Sequence, residues 1–182
     1  MILHRKSEAL KILLNQEILC MINGAQAEIG PRALGGRSML FDPRNENGKD
    51  IVNEIKQREN YRPFAGVVLA EHAKFWFDMG NIKESPYMLY SIPVLENKKR
   101  LIPSIVHVDG TCRIQTVTEE QNKHLYELLM LFLEATRVPI LLNTSLNLAG
   151  EPLVNNLRWA KKLVERSKLK YLYFPGVPGY ED

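Results

Sequence analysis

The chain has 182 residues, 45% apolar and 25% charged, the composition of one globular domain long enough to bury a core. Its net charge of +3 suits an anionic ligand and falls short of the basic excess expected of a nucleic-acid binder. Cys20 and Cys112 lack CxxC or Cys/His spacing, which argues against a disulfide framework or a zinc site and for a reducing, cytoplasmic setting; no apolar run approaches the ~18 residues of a membrane span.

In chain order, Ser7 is expected to cap a helix over 8–15, and charges within this N-terminal run make it a poor signal peptide. "EILCMI" (17–22) reads as a buried strand. A Gly/Pro-rich loop follows, and 47–60 carries Ile51, Val52 and Ile55 on one helical stripe. "GVVLA" (66–70) reads as a strand and 71–77 as the start of a helix. The runs 87–95, 104–109 and 113–117 read as strands, the last two joined at Asp109-Gly110 by a hairpin turn. Thr118 and Gln121 form a capping box for a helix over 118–137, with Leu125, Leu128, Leu129, Phe132 and Leu133 at helical spacing. "PILLN" (139–143) is a buried strand, "LRWAKKLVERS" an amphipathic helix, "KYLYF" a last strand, and the final eight residues a tail. With no repeat or linker, the whole chain, 1–182, reads as a single α/β domain with a mixed sheet.

Three segments carry candidate chemistry. "GPRALGGRSMLFDPR" (30–44) sets Arg32, Arg37 and Arg44 on a restricted backbone, and Arg58 and Arg62 follow. Arginine forks match carboxylate and phosphate, so the group points to anion binding, although each arginine alone can equally pair with a nearby acid. Lys56 and Arg58 close a helix, where cations are also favoured by the dipole alone. "LLNTSLNLAGEP" ends a strand in Asn143, Thr144, Ser145 and Asn147, the place where α/β sheets bind ligands, but also ordinary turn chemistry. His107 and Asp109 alternate onto one strand face as an acid/base or magnesium pair, or as a structural one, and Arg113 begins the return strand. No P-loop, GxGxxG, HExxH or GxSxG motif is present, and Phe64, Tyr87 and Tyr90 lack an RNA-stacking pattern.

The segments "EIGPRALGGRSMLFDPR", "IKQRENYRPFAGVVL", "PYML", "IVHVDGTCRIQTV" and "PILLNTSLNLAGEPLV", in this order, resemble the C-terminal domain of the NodU/CmcH-type O-carbamoyltransferases from about residue 8 to 174. That domain is similar to the YrdC-like threonylcarbamoyl-adenylate synthases, which implies a mixed, twisted sheet flanked by helices. The resemblance also implies a nucleotide site made by a Lys-x-Arg pair, here Lys56 and Arg58, and a Ser-x-Asn pair, here Ser145 and Asn147, with Asn143 beside them. It places Arg32, Arg37, Arg62 and Arg113 around the phosphate and carbamoyl groups, and makes His107 a candidate for assisting carbamoyl phosphate breakdown.

The implied reaction uses ATP, with Mg2+, and carbamoyl phosphate to form carbamoyl adenylate, whose carbamoyl group then passes to a hydroxyl of a small molecule. The resemblance further implies an N-terminal actin/Hsp70-like domain carrying HxxxH, which this sequence lacks. The expected partner is that domain or subunit, and the chain is either a piece of a longer protein or a separate subunit. "INGAQAEIG" is also less arginine-rich than the family pattern before the Glu. Two alternatives stand beside this reading: a threonylcarbamoyl-adenylate synthase of the tRNA-modification type, and a non-catalytic nucleotide-binding subunit.

Overall fold

The computed structural model describes residues 1–177. Along the chain, β1 (Ile2–Leu3) leads into α1 (Lys6–Leu14), β2 (Leu19–Ile22), β3 (Arg37–Phe41), α2 (Gly48–Lys56), β4 (Ala65–Leu69) and β5 (Ser91–Pro93). Then come β6 (Thr111–Val117), α3 (Lys123–Thr136), β7 (Ile140–Ser145), α4 (Leu157–Glu165) and β8 (Tyr171–Tyr173). Among the described residues the strands form one sheet in the order β1-β8-β2-β3-β7-β4-β6-β5. Pairing is parallel from β1 through β8 to β2, antiparallel from β2 through β3 and β7 to β4, parallel between β4 and β6, and antiparallel to the edge strand β5.

The central strands are covered on both faces, since β2, β3 and β4 are buried at every position. Continuous rather than alternating hydrophobicity is what a doubly covered sheet requires. Helices α1 and α3 pack on each other and on β2, β4 and β7. Helix α2 lies against the single turn Pro103–Ile105, and the fit excludes any side chain at its first residue. A Cβ on Gly48 would lie 2.2 Å from Ser104 Oγ and 2.8 Å from the Phe41 ring.

Four local expectations are corrected. Residues 104–109 are not a strand. Pro103 opens a single 3-10 turn there, and the edge of β6 on which a hairpin would form is already taken by β5. Asp109-Gly110 still turns the chain, with Gly110 at φ +80° and its N–H bonded to the His107 carbonyl. Of 87–95 only 91–93 is a strand. The preceding segment is held instead by Ser85, whose hydroxyl donates to the Ile114 carbonyl at 2.8 Å. Thr118 and Gln121 exchange their hydrogen bonds, but one turn early: Asn122 caps α3 by accepting from Leu125 N at 3.1 Å. Ser7 lies inside α1, after Arg5 at the cap position, and the expected tail extends beyond the described residues.

The loop from β2 to β3 is held by two charged groups. Glu28 Oε1 accepts from the backbone N–H groups of Leu34, Gly36 and Arg37, and a Cβ at Gly36 would lie 2.7 Å from the Glu28 carboxyl carbon. Arg37, 1% exposed, turns its guanidinium onto the carbonyls of Asn23, Gly24, Ala25, Gly36 and Asn155. Removing the donors while keeping the volume would strand several carbonyls. Arg37→Met is therefore expected to cost about 3 kcal/mol and to lower Tm by roughly 6–12 °C in a thermal melt. A Tm within about 2 °C of the parent would show that the clasp contributes little.

Candidate active site

Lys56 is the last residue of α2, and Gln57 after it takes a left-handed conformation, φ 56° and ψ 45°. The reversal ends the helix and leaves both Lys56 and Arg58 lining one cleft with Ser145 and Asn147, a cavity of about 600 Å³. The opposite wall is the turn that closes β7. There Ser145 Oγ donates to Asn147 Oδ1 at 2.6 Å, and Asn147 Nδ2 donates to the Glu151 carbonyl at 2.7 Å.

The Lys56 ammonium joins the two walls. Its Nζ lies 2.6 Å from the Ser145 carbonyl, 2.9 Å from the Asn147 carbonyl, 3.1 Å from Asn147 Oδ1 and 3.4 Å from Ser145 Oγ. Burial, reinforced by the Arg58 charge, pushes its pKa down to about 7. The surrounding oxygens oppose that shift, because only the ammonium has three protons to give them.

Arg58 Nε donates to Asn53 Oδ1 at 2.6 Å, and its guanidinium lies 4.4 Å from the centre of the Phe64 ring. It separates the large cleft from a smaller cavity of about 140 Å³ that Arg32, Arg113, Phe64, Asn143 and Ser145 also line. Among the described residues, Arg58 Nη2 and Arg113 Nε are buried without a hydrogen-bond partner. Burial lowers the pKa of both; Arg62 and Arg113 lower Arg58 further, and Arg32 lowers Arg113. Four arginines thus repel one another around unused N–H donors, an arrangement that an anion relieves.

Asn143 lines the small cavity and begins a row of buried amides. Asn143 Nδ2 donates to Gln115 Oε1 at 2.9 Å and to the Ala33 carbonyl at 3.2 Å, and Gln115 Nε2 donates to the Leu34 carbonyl at 3.0 Å. These bonds fasten the loop bearing Arg32 to the middle of the sheet. Asn143 Oδ1 is buried with no partner among the described residues.

The structure therefore brings Arg32, Lys56, Arg58, Arg62, Arg113, Asn143, Ser145 and Asn147 to two adjoining cavities. Arg62 stands at the exposed rim of the larger one, paired with Glu59 at 2.8 Å. Arg37 lines neither, being spent on the loop clasp. Arg44 holds the buried Asp42, with Nε 2.9 Å from Oδ1. His107 lies across the wall formed by Pro63 and Phe64, in a separate cavity of about 180 Å³, with Nε2 3.0 Å from the Phe64 carbonyl. It shares no strand face with Asp109; Thr111 Oγ1 stands between them, 3.2 Å from His107 Nδ1 and 2.8 Å from Asp109 Oδ1.

Glu28, Asn53, Phe64 and Gln115 escaped the reading of the sequence. None left a pattern signal: Asn53 lies off the Ile51/Val52/Ile55 stripe and Gln115 shares its strand face with Arg113, so both read as ordinary polar positions.

Comparison with known proteins agrees with this geometry. The family described as "Carbamoyltransferase C-terminus" matches residues 10–177. Nodulation protein NolNO of Sinorhizobium fredii is 47% identical over 134 residues, covering 72% of this chain and 20% of that protein. Among solved structures, full-length HypF in its phosphate- and nucleotide-bound form superposes with a TM-score of 0.66 at 15% identity, over 92% of this chain and 24% of that one. Sua5 of P. abyssi complexed with L-threonine gives a TM-score of 0.64 at 14% identity, over 97% of this chain and 50% of that one. The chain thus spans about a fifth of the length of NolNO, and the two structures establish the YrdC-like fold. Arginines around a buried amide, on this fold and within a family match running almost end to end, identify the chain as a member of the carbamoyltransferase C-terminus family, the C-terminal domain of NodU/CmcH-type O-carbamoyltransferases.

Proposed function

We propose that this domain makes carbamoyl adenylate from ATP and carbamoyl phosphate, for delivery to a hydroxyl of a small-molecule acceptor by an actin/Hsp70-like partner domain or subunit, in the cytoplasm. The observation that carries the reading is the meeting of Lys56 and Arg58 with Ser145 and Asn147 in a cleft that shares Arg58 and Ser145 with a cavity lined by arginines bearing unpaired donors. The nucleotide takes the larger cleft and the small anion the smaller cavity. HypF, which shares the fold, was solved in a phosphate- and nucleotide-bound form, in keeping with ligands of both kinds.

Carbamoyl phosphate and water give carbamate and phosphate, with both water protons leaving on the phosphate. A carbamate oxygen then forms a bond to the α-phosphorus of ATP as the bond to pyrophosphate breaks. An anion attacking a polyanion needs fixed cations, which Lys56, Arg58 and Arg113 supply without rearrangement. Walls on both sides of the small cavity limit the exposure of carbamate to water. Among the described residues no group of three or more His, Cys, Asp or Glu side chains gathers into a metal site, so Mg2+ would arrive on the phosphates of ATP rather than in a protein cage. His107, behind Phe64, is not used for proton transfer.

The likeness to Sua5 with bound L-threonine favours one alternative, a threonine-dependent adenylate synthase. Pyrophosphate release separates the two. It is expected to need ATP and carbamoyl phosphate together and to ignore threonine with bicarbonate; the reverse dependence, or ATP binding without release, would reject the proposal.

Two further outcomes follow from the geometry. Arg113→Ala is expected to lower kcat/KM for carbamoyl phosphate at least about tenfold, since a charged hydrogen bond is worth roughly 1.5–3 kcal/mol, while Arg62→Ala at the exposed rim acts mainly on ATP. Equal effects of the two variants on carbamoyl phosphate would contradict the division into two cavities. Because burial pushes the Lys56 pKa down to about 7 and polyphosphate favours its ammonium, ATP binding should take up about half a proton at pH 7, rising toward one at pH 8 to 9. Calorimetry in buffers of different ionisation enthalpy reads this directly, and Lys56→Met should abolish it.

A further inference from the structure

Resting on the proposed use of carbamoyl phosphate, we infer that Asn143 recognises the amino group of the carbamoyl moiety, and that Gln115 is the positioning residue that turns it to do so. The residues lining the small cavity carry two kinds of unused hydrogen-bonding atom at once. Arg58 Nη2 and Arg113 Nε are donors without acceptors, and Asn143 Oδ1 is an acceptor without a donor, all buried. A plain oxyanion such as phosphate or bicarbonate answers the donors and leaves Oδ1 facing another oxygen. A carbamoyl group answers all three, because its oxygens accept while its NH2 donates.

The orientation of the amide is fixed by its neighbours. Turned over, Asn143 would set its oxygen against the Ala33 carbonyl and Gln115 Oε1, two acceptors that Nδ2 now serves. Gln115 cannot turn with it, because its own Nε2 is held by the Leu34 carbonyl. Asn143 and Gln115 are 1% and 3% exposed, so bulk water does not compensate for an exchange of partners. The row of amides therefore fixes Asn143 Oδ1 as an acceptor. Leaving a buried acceptor opposite a methyl group is costly, and such sites reject analogues that lack the donor.

Acetyl phosphate, in which CH3 replaces NH2, is the matched probe. With the intact chain, kcat/KM for pyrophosphate release is expected to favour carbamoyl over acetyl phosphate at least tenfold, and calorimetry should show the same order of affinity. Gln115→Met and Asn143→Ser are each expected to narrow that ratio severalfold, and in Gln115→Met ATP affinity, measured separately, stays within about twofold. A parent chain that treats both phosphates alike overturns the assignment of Asn143 and leaves the proposed reaction standing, and needs no variant to fold. A full ratio retained in both folded variants overturns it as well. Absence of pyrophosphate release with either phosphate rejects the reaction itself, and with it this inference.

Discussion

A single ammonium group holds the site together. Lys56 Nζ reaches from the end of α2 into the turn after β7 and takes up oxygens from both Ser145 and Asn147. Residues 56 and 145 are far apart in the chain, and the sheet places their elements side by side only because β3 and β4 flank β7. The contact is reciprocal. The Lys56 carbonyl accepts from Ala149 N at 2.9 Å, so the backbone of one wall fastens the other. A buried lysine is tolerable only with such oxygens around it, and they favour its ammonium against the cost of burial.

Around that junction the domain accumulates charge of one sign. Arg32, Arg58, Arg62 and Arg113 each contribute to the repulsion felt by a neighbour, and little acid is brought in to neutralise them; Glu59 is the carboxylate that offsets Arg58. The strain is accepted where ligand binding can relieve it and avoided elsewhere. Arg37 and Arg44, from the same stretch of sequence, are fully answered by carbonyls and by Asp42. Three arginines spaced within thirteen residues thus do different work, and the difference lies in how many acceptors the fold delivers to each. The proposed phosphoryl transfer between anions would need this kind of unreleased electrostatic field, fixed before the reactants arrive.

Much of the architecture was legible because the physics was local. The long apolar stripe of α3 and the continuous runs of β4 and β7 declare themselves in the sequence. The strand expected at 104–109 failed because strand formation needs a free edge, and which edge is free is decided by β5, outside any short window. The site followed the same division. The pairs Lys56/Arg58 and Ser145/Asn147 are ambiguous when read alone; the resemblance joined them, and the fold puts them in one cleft. Arg37 could not be separated from Arg32 by residue type, since one guanidinium looks like another until its neighbours are known. Glu28 was passed over because its value lies in backbone N–H groups several residues ahead, which no side-chain pattern reveals.

The wall made by Phe64 has a bearing on how kinetic data from this domain are understood. Its ring is the shelf on which Arg58 rests, and its carbonyl is held from behind by His107. A histidine replaced on that far side would let the shelf tilt and slow turnover, with a loss easily mistaken for that of a proton carrier. The two causes part company in their pH profiles: a tilted shelf scales the whole curve downward, whereas a missing acid or base removes one of its limbs.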